Sequence, residues 1–591
     1  MKRVLASELL HHVDQPVMLR GWLHGIRPFG KINFLVLRDR TGLSQAVLQD
    51  KKEYEKVAHL QPGAVLTITG TALASAQAEL GVEVVNPTVT VEVPVTDVVP
   101  IDYYKPEINS DLEFILDNRA LALRNRRIQA VFTIQSAIAH AYRLFMHDVI
   151  GGVEYFGPSI IGTSSEGVAE FFSVDYFGYT ATLAQSSQLY KQIMVGVNER
   201  VYAVLPFFRA EKSNTHRHLT EGKQLEFEMG FFETWHELMD VHENCIKYIL
   251  KYIHTYCAKE LALVDGEIIQ APEHIPAPRV TFAEAQELFY QRTGLDERQE
   301  NDLSPAAERE LCRYAQETFG TDLIFVTDWK TEKRPFYAYP KDEDPSLTNT
   351  FDLLCGGTEI SSGGQRRHTY SSMVEGILAK GMNPESFEEY LSIFKYGMPP
   401  HGGFGVGLER LTMTLLRLKN IREACLFPSD PKRIAGNRIK ARIFFGAENI
   451  RNEIVRMLRA SECEHQLVPE TDPAALEALK LKALILRGRN SKKNYMLCIP
   501  GHRKLATKAV QEMIGERCEF EKPDVVQERF GLGIGAIPPF GTLLNLETFF
   551  DTEVKESQMV TFNSGGSSEI ILMKSADLLE LIQPKVGALA E

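Results

Sequence analysis

Between Val17 and about Val98, apolar and polar positions alternate in five short runs: VMLRGWL, KINFLVLRD, SQAVLQ, AVLTITGTAL and VEVVNPTVTVEV. Successive strand side chains point to opposite faces, so each run predicts a strand with one face buried. Turn-forming residues part the runs, and five strands in about 85 residues suit a small barrel of the oligonucleotide-binding (OB) kind. We assign this barrel to residues 1–105. The proline- and acid-bearing stretch VVPIDYYKPEINSDLEF leads into a hinge over 106–128.

From Ile128 to Pro428 the pattern changes. Strand-like and helix-like periods mix without a regular βαβ beat, which predicts an antiparallel sheet flanked by helices over 129–437. RVYAVLPF reads as one of its strands. VHENCIKYILKYIHTYCAKEL reads as an amphipathic helix with Ile246, Ile249, Leu250 and Ile253 on its buried face and His254 and Cys257 as packing residues. After LFPSDPKRIAG comes a helical connector over 438–472. LKALILR, YMLCIPG and IILMK, with helices between them, predict a separate α/β domain over 473–591. The fold class is therefore multidomain α+β.

Composition narrows the setting more than the chemistry. The 591 residues are 44% hydrophobic and 24% charged, which fits packed cores. The net charge of −13 argues against binding nucleic acid through a global basic field, but local cations are enough to neutralise phosphates. The eight cysteines form no C-x-x-C pair and no Cys/His set at zinc spacing, so a reduced, cytoplasmic location is expected. No apolar run approaches the length of a membrane span, and no membrane partner is expected.

Four segments carry candidate chemistry. FFRAEKSNTHRHLTE, after the RVYAVLPF strand, concentrates cations, acids and two histidines as a solvated tip or an anion site. His216 and His218 lack a nearby third ligand for a metal. In HGGFGVGLERL, a glycine-walled strand with Gly405 and Gly407 runs into a helix bearing Glu409 and Arg410, leaving a flat slot beside an arginine. FDLLCGGTEISSGGQRRH offers Glu359 and Ser362 as oxygen ligands beside Arg366, and LAQSSQLYKQ places Gln188 and Lys191 one helical turn apart.

In this order the segments resemble the signature motifs of class II aminoacyl-tRNA synthetases, specifically aspartyl-tRNA synthetases of the archaeal and eukaryotic type. The resemblance runs from Val17 to Arg433 and rests on QLYKQ, FRAEKSNTHRHLTE, RPFYAYP, EISSGGQRRH, FKYGMPPHGGFGVGLERL and NIREACLFPSDPKR. It implies a homodimer with an anticodon-binding OB barrel joined to a class II antiparallel catalytic sheet. The implied substrates are ATP, with Mg²⁺, L-aspartate and tRNA(Asp), with tRNA(Asn) left open as a second acceptor. Activation joins the α-carboxylate of aspartate to the α-phosphate of ATP, two anions that a rigid guanidinium can bridge.

By the resemblance, Arg209 is that bridging group and Arg410 holds ATP from the far side of the slot. Gly405 and Gly407 wall the slot, Glu211 and His218 contact the nucleotide and the tRNA end, and Glu359 and Ser362 ligate Mg²⁺. Lys191 and Arg366 grip the side-chain carboxylate of aspartate, and Gln188 and Glu166 surround its α-amino group. Asparagine would turn amide hydrogens toward those cations, a mismatch worth about 10⁴ in discrimination. On the barrel, Arg27, Phe34, Gln45 and Glu83 match anticodon-contacting positions, Phe34 as a base-stacking ring. An inward core role for Phe34 stays open. So do two other readings of the chain: an asparaginyl enzyme, and a paralogue that does not charge tRNA but makes asparagine or binds tRNA.

Two positions depart from the family. The phenylalanine that follows HLTE and covers adenine is Gly222 here, which should weaken nucleotide binding by roughly 1–3 kcal/mol unless another ring takes its place. The arginine of LFPRDP is Ser429. From about Ala474 the chain resembles aminoacyl-tRNA deacylases and the editing insertion of prolyl-tRNA synthetases. This rests on Lys482, IPGHRKLATKAVQEMIG, FGLGIGAIPPFG and the glycine pair Gly565 and Gly566. Lys482 is the implied catalytic residue for hydrolysing a mischarged tRNA; a tRNA-gripping domain without hydrolysis is the alternative.

Overall fold

The computed structural model describes residues 1–30, 32–162, 171–177, 179–211, 215–264, 268–438, 447–461, 463–533, 535–565 and 570–591. The chain forms two compact units, Met1–Arg438 and Ile439–Glu591. The first begins with a closed barrel of β1 (Pro16–Phe29), β2 (Ile32–Arg38), β3 (Leu43–Leu48), β4 (Val65–Ala74) and β5 (Val82–Val93), in spatial order 1-2-3-5-4. These are the five predicted runs. Leu35, Leu37, Ala46 and Leu48 fill the interior with Ile68 and Val84. The alternation that buries Leu35 puts its neighbour Phe34 on the outer face, half-buried, so Phe34 is not a core residue.

The larger part of this unit is an eight-stranded sheet. Its strands are β6 (Val153–Glu154), β7 (Arg200–Phe208), β8 (Glu221–Gly230), β9 (Arg279–Thr281), β10 (Leu323–Thr327), β11 (Thr350–Cys355), β12 (Thr358–Arg366) and β13 (His401–Gly407). They lie in the order 9-10-11-12-13-8-7-6. All neighbours are antiparallel except the two edge pairs, β9–β10 and β6–β7. Helices α1 (Arg126–Leu144) and α3 (Glu237–Tyr256) pack into the sheet's core. Ile246, Ile249, Leu250 and Ile253 of α3 are buried as predicted, each contributing about 1.5–3 kcal/mol by leaving water. His254 is exposed, not packed, because one residue beyond Ile253 the helix has turned about 100° away from the core. Cys257 is buried.

In the second unit, a sheet of β14 (His465–Val468), β15 (Leu479–Gly488), β16 (Asn494–Pro500), β17 (Cys518–Phe520), β18 (Glu547–Asp551), β19 (Met559–Asn563), β20 (Ile570–Lys574) and β21 (Lys585–Gly587) runs 14-20-19-15-16-18-21, with β17 on β15. The stretch read as a connector supplies the helix Ala447–Ala460, whose Ile450, Ile454 and Leu458 are buried in this unit's core with Phe530, Phe540 and Phe550. All eight cysteines are free. Among the described residues no helix is long and apolar enough to cross a membrane.

Candidate active site

The antiparallel strands meet α4 (Leu408–Leu415) around one cavity of about 360 Å³, and α2 (Gln188–Asn198) packs against β8. Arg209 enters from the end of β7, Glu359, Ser362 and Arg366 from β12, Gly405 and Gly407 from β13, and Arg410 from the first turn of α4. Glu211 and His218 line it as well. The three arginines expected to share a site therefore face a single space, although 157 residues separate Arg209 from Arg366. Antiparallel pairing achieves this: β8 pairs with β7 on one side and β13 on the other, and β13 pairs with β12. A Cβ added at Gly405 would lie 2.8 Å from Gln224 Nε2 and 3.1 Å from Glu226 Oε2, so glycine keeps this wall thin.

Lys191 and Gln188 lie behind the wall, not on it. Both are buried on α2. The Lys191 ammonium donates to Glu226 Oε2 at 2.7 Å and to the Phe404 carbonyl at 3.2 Å, and lies 3.2 Å from Glu228 Oε2. Arg366 donates through Nε to Glu228 Oε1 at 2.9 Å and through Nη2 to the Gly403 carbonyl at 3.1 Å, with its guanidinium 5.4 Å from the Tyr337 ring centre. Burial alone would raise the Glu228 carboxyl, but Arg366 and Lys191 outweigh it and hold it below its ordinary value. Lys191 and Arg366 are thus buried directly against Glu226 and Glu228. Gln188 donates to Gln192, whose amide nitrogen bonds His401 Nε2 at 2.8 Å. His401 Nδ1 faces the Pro399 carbonyl at 2.8 Å; a carbonyl only accepts, so Nδ1 carries the proton and the ring is neutral. Glu166 lies outside the described residues.

Sequence reasoning missed Glu226, Glu228, Asp352, Arg334 and Phe207. Glu226 and Glu228 were signalled by acids at every second position of the otherwise apolar QLEFEM, and Asp352 by the lone acid in TFDLLC. Asp352 is buried, and its Oδ1 has no hydrogen-bond partner among the described residues. Its carboxyl is raised to about 6: burial is the main cause, Arg334, 2.9 Å away, opposes it, and Glu359 adds to it. Ser362 donates to Glu359 Oε1 at 3.0 Å. These oxygens suit a hard cation such as Mg²⁺. No group of three or more His, Cys, Asp or Glu among the described residues forms a metal site, so such an ion would complete its shell with phosphate oxygens and water. Burial, then Arg410, depresses the pKa of His218.

On the barrel, Phe34 pairs directly with Arg27 across β1–β2, and its ring lies 6.3 Å from that of Phe29. Gln45 donates to Glu83 at 2.9 Å. In the second unit, Lys482 lines an open cleft of about 510 Å³ with Leu479, Leu481, Gly501 and His502. Its ammonium donates to the Gly501 carbonyl at 3.3 Å and to the Arg503 carbonyl. Gly565 donates to Asn563; Gly566 lies outside the described residues.

A cavity lined by three arginines, on an antiparallel sheet that follows a closed five-stranded barrel, is suited to a substrate with several anionic groups. Residues 111–431 match the family of tRNA synthetases class II (D, K and N), residues 17–92 an OB-fold nucleic acid binding domain, and residues 470–581 an aminoacyl-tRNA editing domain. The chain belongs to the class II tRNA synthetases of the D, K and N group and is an enzyme of ATP-dependent aminoacylation. It is 42% identical to the aspartate–tRNA(Asp/Asn) ligase of Thermus thermophilus over 73% of its own length and 99% of that protein. It is 39% identical to the aspartate–tRNA(Asp) ligase of Pyrococcus furiosus over 71% and 95%. Among solved structures it resembles asparaginyl-tRNA synthetase from Pyrococcus horikoshii complexed with asparaginyl-adenylate (TM-score 0.66, 30% identity, covering 73% of this chain and 99% of that one). It also resembles aspartyl tRNA synthetase from Entamoeba histolytica (0.65, 28%, 74% and 93%).

Proposed function

We propose that the chain activates L-aspartate with ATP and transfers it to tRNA(Asp), and that tRNA(Asn) is a second acceptor. The observation that carries this reading is the convergence of Arg209, Arg366 and Arg410 with Glu359 and Ser362 on one cavity. Arg209 would bond the α-phosphate and the α-carboxylate together, stabilising the extra charge that builds as they join. Arg410, whose Nη1 already donates to the Glu359 carbonyl at 3.1 Å, would be held in place to meet the nucleotide. Glu359, Ser362 and Asp352 would hold Mg²⁺, which supplies neutralisation of the phosphate oxygens. Arg366, which lines the cavity while its Nε is held by Glu228, supports aspartate over asparagine: its guanidinium offers a cationic edge that an amide cannot satisfy. Edge strand β6 and the segment just after it leave Val153 and Phe156 exposed, which supports a homodimer joined there. Outward Phe34, with Arg27, Gln45 and Glu83, supports anticodon contact by stacking.

The deciding assay is amino-acid-dependent ATP–pyrophosphate exchange with aspartate and with asparagine, followed by charging of tRNA(Asp) and tRNA(Asn). Exchange with aspartate and charging of both tRNAs is the expected result. Exchange with asparagine alone overturns the substrate; exchange without charging favours a paralogue. For the second unit we propose hydrolysis of a mischarged tRNA. Its ester end would lie in the Lys482 cleft, which a panel of mischarged tRNAs tests.

A further inference from the structure

The register between β7 and β8 places Phe207 directly opposite Gly222. Directly paired residues of antiparallel strands share a face, so the Phe207 side chain and the missing one at 222 point the same way. A Cβ at 222 would lie 2.7 Å from both Cε1 and Cζ of Phe207 and 3.1 Å from Glu409 Oε2. The far edge of the ring therefore occupies the volume that any side chain at 222 would need. Phe207 lines the cavity, and the Arg209 guanidinium, two residues along the same face, lies 5.3 Å from its ring centre. Among the described lining residues the aromatic rings are Phe207, Tyr337 and the His218 imidazole; Tyr337 lies under Arg366 and His218 Nδ1 meets the Thr215 hydroxyl at 2.6 Å, whereas Phe207 is the ring beside Arg209.

We propose that Phe207 is the platform on which the purine of ATP stacks, and that Gly222 is the vacancy its ring fills. The inference rests on the nucleotide occupying this cavity with its α-phosphate at Arg209. A nucleotide held there has its base within a ribose length of the phosphate, and the flat apolar surface beside Arg209 is the Phe207 ring. Bases gain binding strength by stacking on such a surface whatever their edge chemistry. The ring expected from the residue after HLTE is supplied instead by the facing strand: the platform is kept while its point of attachment moves across one β-ladder rung.

The test is ATP binding to the full-length protein by calorimetry, together with KM values for ATP and aspartate in pyrophosphate exchange, for wild type, F207A, F207L, G222F and F207A/G222F. F207A is expected to raise the ATP Kd and KM about 10–100-fold while the aspartate KM stays within twofold, which also certifies the fold. F207L, which keeps bulk without a π-face, should weaken ATP as well. G222F should weaken it because two rings cannot share one space, and F207A/G222F should recover most of the loss by returning a ring from the other strand. ATP binding by F207A and F207L within twofold of wild type overturns the proposal, as does a double variant no better than F207A. Wild type that binds no ATP refutes the nucleotide site itself, a separate result.

Discussion

The two candidate sites hold their cations in opposite ways. Arg366 and Lys191 in the first unit are buried and fixed by Glu226 and Glu228, which come from one strand of the same sheet. Lys482 in the second unit stands at an open cleft, held by two main-chain carbonyls and, among the described residues, by no carboxylate. A buried cation needs counter-charge, or desolvation would drive it neutral; a cation at a cleft mouth keeps much of its water. Site and scaffold are therefore one structure in the first unit and separable in the second.

The largest effect should come from Arg209. R209A is expected to lower aspartate-dependent pyrophosphate exchange about 10³-fold and leave hydrolysis by the second unit unchanged; loss of both activities would break the comparison. K191M should leave Glu226 and Glu228 buried without their ammonium, costing about 3–5 kcal/mol of stability, read from denaturant unfolding. K482M should shift the same transition by less than about 0.5 kcal/mol, so equal losses would mean the two cations are held alike.

Acid should sharpen the contrast further. Burial lowers the pKa of His401 to about 4 and that of His242 to about 3. Both rings are neutral in the folded core, and each takes up a proton once unfolded near its ordinary value of about 6.5. The contribution of each is therefore complete above that pH and falls by about 3 kcal/mol between there and pH 4. His242 stacks on Phe404 with ring centres 4.1 Å apart, so H242F keeps the packing and should flatten the fall in Tm between pH 6.5 and 4. In the second unit, His465 is half-buried and His502 exposed. The smallest effect is at the cleft: K482A should slow deacylation of a mischarged tRNA about tenfold, the worth of one charge-assisted hydrogen bond, with aspartylation intact.

Legibility followed the range of the interaction. The barrel strands and the α3 face were readable because alternation and helical period are local. That Arg209, Glu359, Arg366 and Arg410 belong together was legible from motifs that resemble the family's, and the four line one cavity. Glu228, which ties Lys191 to Arg366, was not found: the chemistry of an acid in a strand depends on which neighbours the sheet brings to it. His254 was misplaced because its neighbours' helical period was read without assigning each residue its own angle.

By itself, the order of residues determined which segments form strands and helices, that ATP-dependent aminoacylation chemistry was present, and that position 222 has no ring. Only the tertiary structure decided that Lys191 lies behind the cavity wall with two carboxylates, and that Phe207 fills the space over Gly222. Both depend on cross-strand register, which pairs residues far apart in the chain and is set by packing of the whole sheet.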